Sequence, residues 1–354
     1  MADTTSEDKH TAMATVDEIS VAMATYNGGK FLREQLDSLA KQTAKPAELV
    51  VCDDISSDAT VQLLGDFARS ASFPVHVHIN DSRLGFGDNF LKAALLCKSS
   101  LIAFCDQDDV WYPQKLETCA RALADCNADL CAHDADLCGI SGELIGYHSA
   151  GVDGGTYGPL RLDPWGTFFG FTCTFRRSLL EIASPAIRKS DDQDRRLLSH
   201  DGWIYFLAHS FGRIVYLAEP LAKYRQHGTN LFGSNDLTGL QKVHRLMTEY
   251  EAYLRKYKAF ASTRGRILDE TSKGVPSEFS SATTMACQYW KNIETLQSQR
   301  LSVAETKSLV GRLRGVINLW CQGTYAPSPV GGLGRRALAE DSVGAFARSL
   351  FRSG

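Results

Sequence analysis

Leu101-Ile-Ala-Phe-Cys-Asp-Gln-Asp-Asp-Val-Trp-Tyr-Pro113 runs from an apolar stretch straight into three carboxylates, Asp106, Asp108 and Asp109. A short apolar run bounded by polar residues reads as a strand buried on both faces. The acids at its exit therefore belong to a cleft and not to an open surface. Carboxylates this close repel one another unless a cation or protons intervene. Mg²⁺ is commonly held by one or two carboxylates plus substrate phosphates, so the cluster predicts a metal-assisted phosphate site.

The same design repeats upstream. Ile19–Thr25 reads as a strand that runs into the loop Tyr26-Asn27-Gly28-Gly29, after which Phe31, Leu32, Gln35, Leu36 and Leu39 share one helical face. Glu48–Cys52 is a second strand, ending on Asp53-Asp54, and Ser56 or Ser57 is placed to cap the next helix, which carries Val61, Leu64 and Phe67. Val75–Ile79 alternates as a third strand before Asn80-Asp81, the turn Arg83-Leu84-Gly85-Phe86-Gly87 and a helix near Asp88–Lys98. Strands alternating with helices of about ten to fifteen residues predict βαβ units: an α/β fold whose mostly parallel sheet is flanked by helices. In such sheets ligands bind beyond the carboxyl ends of the strands. Thr25-Tyr26-Asn27, Asp53-Asp54, Asn80-Asp81 and Asp106/Asp108 each follow a strand, so all four groups are expected along one edge.

Residues 125–240 are less regular, with Gly and aromatic residues crowding Gly151–Phe171. A helix is expected through His200–Ser210, then an apolar stretch Ile214–Leu217 before Tyr224-Arg225-Gln226-His227. From Leu240 the pattern turns helical: Leu240, Val243, Leu246, Met247, Tyr250, Tyr253, Leu254 and Tyr257 recur at three and four, as do apolar residues in Ala282–Leu296 and Val303–Trp320. The expected division is a flexible leader over 1–18, an α/β domain over 19–239, a helical extension over 240–325 and a mobile, Gly-, Pro-, Ser- and Arg-rich tail over 326–354.

With 44% hydrophobic and 22% charged residues, the 354-residue chain has the composition of a soluble globular protein. Its net charge of -3 is lopsided: 21 basic against 32 acidic residues over 1–239, but 17 against 9, net +8, over 240–354. The basic surplus suits either peripheral contact with an anionic membrane face or a solvated helical brace. Ten scattered cysteines with no CxxC spacing fit a reducing compartment. No charged-then-apolar signal opens the chain, and no stretch of about 18 apolar residues occurs. A cytoplasmic location follows as an expectation, with contact at the inner face of the membrane left open.

Five blocks then carry a resemblance. Val21-Ala-Met-Ala-Thr-Tyr-Asn-Gly-Gly29 with Phe31-Leu32 and Gln35, Val50-Val-Cys-Asp-Asp-Ile-Ser-Ser-Asp58, and Phe104-Cys-Asp-Gln-Asp-Asp-Val-Trp-Tyr-Pro-Gln-Lys-Leu116 resemble the inverting family 2 glycosyltransferases. Ser199-His-Asp-Gly-Trp203 and Tyr224-Arg-Gln-His-Gly-Thr-Asn230 resemble the later motifs of the rhamnosyltransferase-like branch, and the ordered set spans roughly residues 19–235. The resemblance implies a GT-A fold, a nucleotide-sugar donor and Mn²⁺ or Mg²⁺. It assigns Asp106 and Asp108 to the donor ribose and, through the cation, to a diphosphate whose developing charge the metal neutralises. His227 would complete the coordination; imidazole suits Mn²⁺ better than Mg²⁺.

Thr25, Tyr26, Asn27, Asp53 and Asp54 would hold the nucleoside, since a carboxylate can accept the N3–H of uracil or thymine and cytosine lacks that donor. Tyr26 offers the base an aromatic face. Arg83 and Arg225 would reach the donor, Arg225 at its diphosphate, and Gly170 would let the backbone approach the donor sugar. Asp201 matches the base that deprotonates the acceptor hydroxyl. Asp134, Asp136, Trp165 and Trp203 would line the acceptor. The branch usually carries two bulky residues after this Asp; Gly202 departs from that and leaves the acceptor pocket's shape open. The branch favours dTDP-rhamnose, with UDP-hexoses as substitutes, and a bacterial surface polysaccharide such as O-antigen or a lipid-linked oligosaccharide as acceptor.

Plainer readings stand beside these. Asp109 can serve only the dipole of the helix that starts near Pro113, Asp201 can be a helix N-cap, and most aromatic residues in a domain this size are core. Asp106-x-Asp108-x-Val110 also fits haloacid-dehalogenase-like phosphohydrolases, where the first Asp is the nucleophile, but that family carries the motif on its first strand and here it follows the fourth. A non-catalytic nucleotide-sugar- or glycan-binding protein is the third class. No nucleic-acid partner is expected, and the oligomeric state is open.

Overall fold

The computed structural model describes residues 18–189, 198–227, 239–272, 280–327 and 332–350; the expected leader over 1–17 and residues 228–230 of the last block lie outside them. Ile19–Thr25 forms β1, and all seven residues are buried. Beside it lie β2 (Glu48–Asp53) and β4 (Leu101–Cys105), with β3 (Val75–Ile79) beyond β2, and all these pairs are parallel. The connections are α1 (Leu32–Ala40), α2 (Thr60–Ser70) and α3 (Phe86–Leu96). The period-2 alternation of a strand decides which helix each residue meets. Val21, Met23, Leu49, Val51, Leu101 and Ala103 pack in one layer with Leu32, Leu36 and Leu39 of α1. Ala22, Ala24, Val50, Cys52, Ile102 and Phe104 face the other way, onto Phe90, Leu91, Ala93 and Ala94 of α3.

Past β4 the sheet is mixed. It continues with β5 (Val110–Trp111), α4 (Lys115–Asp125), β6 (Leu130–Cys138), β7 (Leu144–His148), β8 (Gly155–Tyr157), β9 (Thr174–Arg176), α5 (Leu179–Ile182), α6 (His200–Phe211) and β10 (Ile214–Arg225). The strand order is β3-β2-β1-β4-β9-β6-β10-β5, with β7 on β6 and β8 on β10. β9 runs antiparallel to both β4 and β6, and β5, β7 and β8 also pair antiparallel, while β6 and β10 run parallel, so the parallel arrangement expected from the sequence holds for the first four strands and for that pair. β10 is much longer than the apolar stretch 214–217 suggested. Its register slips around Pro220, which has no N–H for a ladder, and pairing resumes at Lys223.

The register puts Thr25 opposite Asp53 and Met23 opposite Cys105, so the loops after β1, β2 and β4 open side by side.

The helical part comprises α7 (Gly239–Thr271), α8 (Ser280–Glu305), α9 (Leu309–Cys321) and α10 (Gly334–Leu350). Trp290 of α8 is buried against Phe206 and His209 of α6, which docks the extension on the α/β unit. The tail expected to be mobile holds α10 instead. Its Asp341 is buried and meets Arg300 at 2.7 Å and the Tyr325 hydroxyl at 2.6 Å, while Ala337 and Ala345 pack near Val316 and Leu319. The buried face is made of alanine, which carries little apolar signal in a Gly- and Arg-rich stretch. Among the described residues no helix is long and apolar enough to cross a membrane.

Candidate active site

The polar groups at the strand ends do converge. Thr25, Tyr26, Asn27, Asp54, Arg83, Asp106, Asp108, Gly170, Asp201 and His227 line one cavity of about 620 Å³. Its Thr25–Asp54 end is tightly knotted. Thr25 Oγ1 donates to Asp53 at 2.7 Å, and Asp53 also accepts the Ser56 N–H at 2.8 Å and the Ser56 hydroxyl at 2.6 Å. Asp53 is fully buried and does not line the cavity, so it braces the loop and its expected contact with the donor is withdrawn. Asn27 sits at φ +48°, a conformation its short amide tolerates, and its Oδ1 accepts the Ser57 N–H at 2.9 Å. Asp58, not Ser56 or Ser57, serves the start of α2, accepting the Thr60 N–H at 3.0 Å.

Asp54 accepts the Asn80 amide at 3.0 Å and the Leu84 and Gly85 N–H groups at 2.7 and 2.9 Å, which fixes the loop carrying Arg83. The Arg83 guanidinium lies 3.7 Å from the centre of the Tyr26 ring.

At the acidic end, Asp108 Oδ2 lies 2.9 Å from His227 Nε2, and the imidazole stacks on Phe31 at 4.9 Å. The Asp106 carboxyl is pushed up to about 8 by burial, with the charges of Asp108 and Asp201 adding to it. No hydrogen bond reaches that carboxyl among the described residues. Asp109 turns into the core: one oxygen accepts the Arg225 N–H at 3.1 Å, the other has no partner, and burial pushes the group well above the usual carboxylate range. Among the described residues no three His, Cys, Asp or Glu side chains stand close enough to cage a metal ion. Asp106, Asp108 and His227 line one cavity wall and could hold a cation that takes its remaining ligands from phosphate and water. A buried acid that resists ionising alone fits that role.

Asp201 occupies the first turn of α6, behind the N-cap Ser199. Its Oδ1 accepts the Gly202 N–H at 2.7 Å and the Ser199 hydroxyl. His200 beside it stacks on Phe90 at 4.1 Å, and neither of its ring nitrogens has a partner. Burial pushes its imidazole down to about 4, so it is neutral near pH 7. A Cβ at Gly170 would fall 2.2 Å from His200 Nε2, which explains the glycine by packing.

Five other expected site residues lie elsewhere. Arg225 does not line the cavity; its side chain has no exposed surface and donates to the carbonyls of Asp108 at 3.0 Å and Ile140 at 2.8 Å and to Glu34 at 2.6 Å. Asp134 is held by the hydroxyls of Tyr147 and Tyr216, and Asp136 by Tyr112 at 2.5 Å, and neither faces the cavity. Trp165 packs on Tyr257 and Trp290, under the helical extension. Trp203 is wholly buried, packed against Phe206. In each case a structural contact claims the side chain.

Gln107 was missed. It lines the cavity between the two acids, and the only signal for it was its place inside the Asp-x-Asp pair.

The sequence profile described as Glycosyl transferase family 2 matches residues 20–182. The dTDP-rhamnosyl transferase RfbG of Shigella flexneri is 30% identical over 226 residues, covering 60% of this chain and 74% of that protein. The UDP-Glc:alpha-D-GlcNAc-diphosphoundecaprenol beta-1,3-glucosyltransferase WfgD of Escherichia coli is 33% identical over 99 residues, 28% of this chain and 38% of that one. Among solved structures, S. aureus TarS 1-349 is similar in fold, with a TM-score of 0.52 at 19% identity over 95% of this chain and 92% of that chain.

Proposed function

The chain belongs to glycosyl transferase family 2, and we propose that it carries out an inverting transfer from a nucleoside-diphosphate sugar to an acceptor hydroxyl. One observation supports this reading above the rest. The nucleoside loop, the Asp106/Asp108/His227 group and Asp201 open onto a single cavity.

In this reading Asp201 takes the proton of the acceptor hydroxyl while the oxygen attacks the anomeric carbon. The bond from that carbon to the diphosphate breaks on the opposite side, and its electron pair leaves with the phosphate. Mn²⁺ or Mg²⁺ held by Asp106, Asp108 and His227 would neutralise the charge on the leaving diphosphate. Tyr26, with Arg83 against its ring, faces the base, while Thr25, Asn27 and Asp54 shape the nucleoside end. The catalytic unit is residues 19–239, and the helices beyond it brace it.

dTDP-rhamnose is the donor we favour, after the name of the Shigella relative, with UDP-hexoses as the substitutes. The acceptor is a bacterial surface glycan or a lipid-linked oligosaccharide; the E. coli relative is named for a lipid-linked acceptor, alpha-D-GlcNAc-diphosphoundecaprenol. The protein then works in the cytoplasm, touching the membrane peripherally through its basic helical extension.

The test is a panel of nucleotide sugars incubated with the protein, with Mn²⁺ or with chelator, reading release of the nucleoside diphosphate. Metal-dependent release from dTDP-rhamnose is expected. Release from no donor, with no thermal shift from dTDP or UDP, overturns the proposal.

A further inference from the structure

Helix α9 reads Leu309-Val-Gly-Arg-Leu-Arg-Gly-Val-Ile-Asn-Leu-Trp-Cys321 and contains no acidic residue. At 3.6 residues per turn it has two distinct faces. Val316 and Leu319 are buried against the alanines of α10, and the buried Arg312 donates to the carbonyls of Ala345, Thr306 and Lys307. The opposite face is left open by the described residues. Val310, Ile317 and Trp320 are 58%, 57% and 62% exposed. Arg314 falls on that face between Val310 and Ile317, Lys307 precedes the helix, and both are exposed and make no ion pair among the described residues.

We propose that this face of α9 docks on an anionic lipid surface, with Val310, Ile317 and Trp320 at the headgroup level and Lys307 and Arg314 on lipid phosphates. The inference rests on the peripheral membrane contact proposed above and assigns it to one surface. Three observations favour lipid as the occupant. A two-fold contact with a second copy would place this cationic stripe against itself, which like charges oppose. The alternation of apolar side chains with unpaired cations, closed by a tryptophan at one end, is the composition that settles at a bilayer interface. The surplus of 17 basic over 9 acidic residues across 240–354 has the sign that an anionic leaflet attracts. A stripe this short gives weak, reversible binding.

The test is flotation of the full chain with phosphatidylcholine vesicles and with vesicles that also contain phosphatidylglycerol. The comparison is with the double variants Ile317→Glu/Trp320→Glu and Lys307→Glu/Arg314→Glu. These positions are exposed, and donor hydrolysis by each variant checks that the catalytic unit is intact. Wild-type binding only to the anionic vesicles, weakened about tenfold or more in both variants with hydrolysis retained, is the expected result. Wild-type protein that floats with neither vesicle overturns this inference and the membrane contact together. Wild-type and variants floating alike overturns only the assignment to α9. Self-association in solution that the variants abolish assigns the face to a second copy and likewise overturns the proposal.

Discussion

Gln107 and the backbone of Tyr26 form a two-point clamp: Oε1 accepts the Tyr26 N–H at 2.9 Å and Nε2 donates to the Tyr26 carbonyl at 3.2 Å. The residue between Asp106 and Asp108 thus ties the loop after β4 to the loop after β1. Gly28 lies beneath the amide, and a Cβ there would fall 2.2 Å from Oε1. Two partly exposed hydrogen bonds are each worth about 1 kcal/mol. Gln107→Ala is therefore expected to raise the donor KM roughly tenfold while kcat at saturating donor stays within about threefold. Gln107→Glu removes the donating half and adds a carboxylate to an acidic cluster, so it should bind donor no better than the alanine variant. A loss confined to kcat in steady-state assays would show that the clamp serves something other than nucleoside binding.

Asp201→Asn keeps the shape of the α6 N-terminus and can still accept the Gly202 N–H, but it cannot take a proton. Loss of a general base typically costs 10²- to 10⁴-fold in rate. Transfer to the acceptor should fall by about that factor, while nucleoside-diphosphate affinity, measured by calorimetry, holds within about twofold because the base contacts the acceptor. A large loss of nucleotide affinity would mean that Asp201 belongs to the donor.

The strand positions were legible because apolar runs this short have few alternatives. Ile19–Thr25, Val75–Ile79 and Leu101–Cys105 are strands with the bounds that the sequence suggested. The site edge was legible for the same reason, since parallel strands deliver their C-terminal loops to one rim. What the sequence could not resolve was which polar side chains were already taken. Arg225, Asp134 and Asp136 carry the right chemistry, yet carbonyls, Glu34 and tyrosine hydroxyls on distant segments hold them. Such partners, over eighty residues away for Tyr216 and Asp134, leave no local pattern.

If Asp106 ligates the proposed cation, cation binding releases protons. Its acid sits at about 8, raised chiefly by burial, so at pH 7 roughly 0.9 proton is bound before a cation arrives. A metal ligand must be ionised. The sign follows: Mn²⁺ binding should release close to one proton at pH 7 and almost none above about pH 9, and apparent affinity should rise up to about tenfold per pH unit below pH 8 before levelling off. Calorimetry in two buffers of different ionisation enthalpy measures the release directly. A release unchanged between pH 7 and pH 9, or its persistence in Asp106→Asn, would remove Asp106 from the cation's ligands.

Arg225 separates structural from donor-binding arginine. Its guanidinium is fully buried, lies 4.9 Å from the centre of the Phe31 ring, and holds the Asp108 and Ile140 carbonyls and Glu34. Lysine keeps the charge but cannot reproduce that planar fork, and the carbonyls it fails to reach are left partly unsatisfied. Arg225→Lys should lower the unfolding free energy by about 2–4 kcal/mol in denaturant titrations. Glu34→Ala leaves that buried guanidinium without its carboxylate but keeps both carbonyls, so it should cost about 1–3 kcal/mol. Affinity for a nucleoside monophosphate, which the Arg225 side chain does not approach from inside the cavity, should barely change. An Arg225→Lys protein of wild-type stability that binds the diphosphate tenfold more weakly would return Arg225 to the donor.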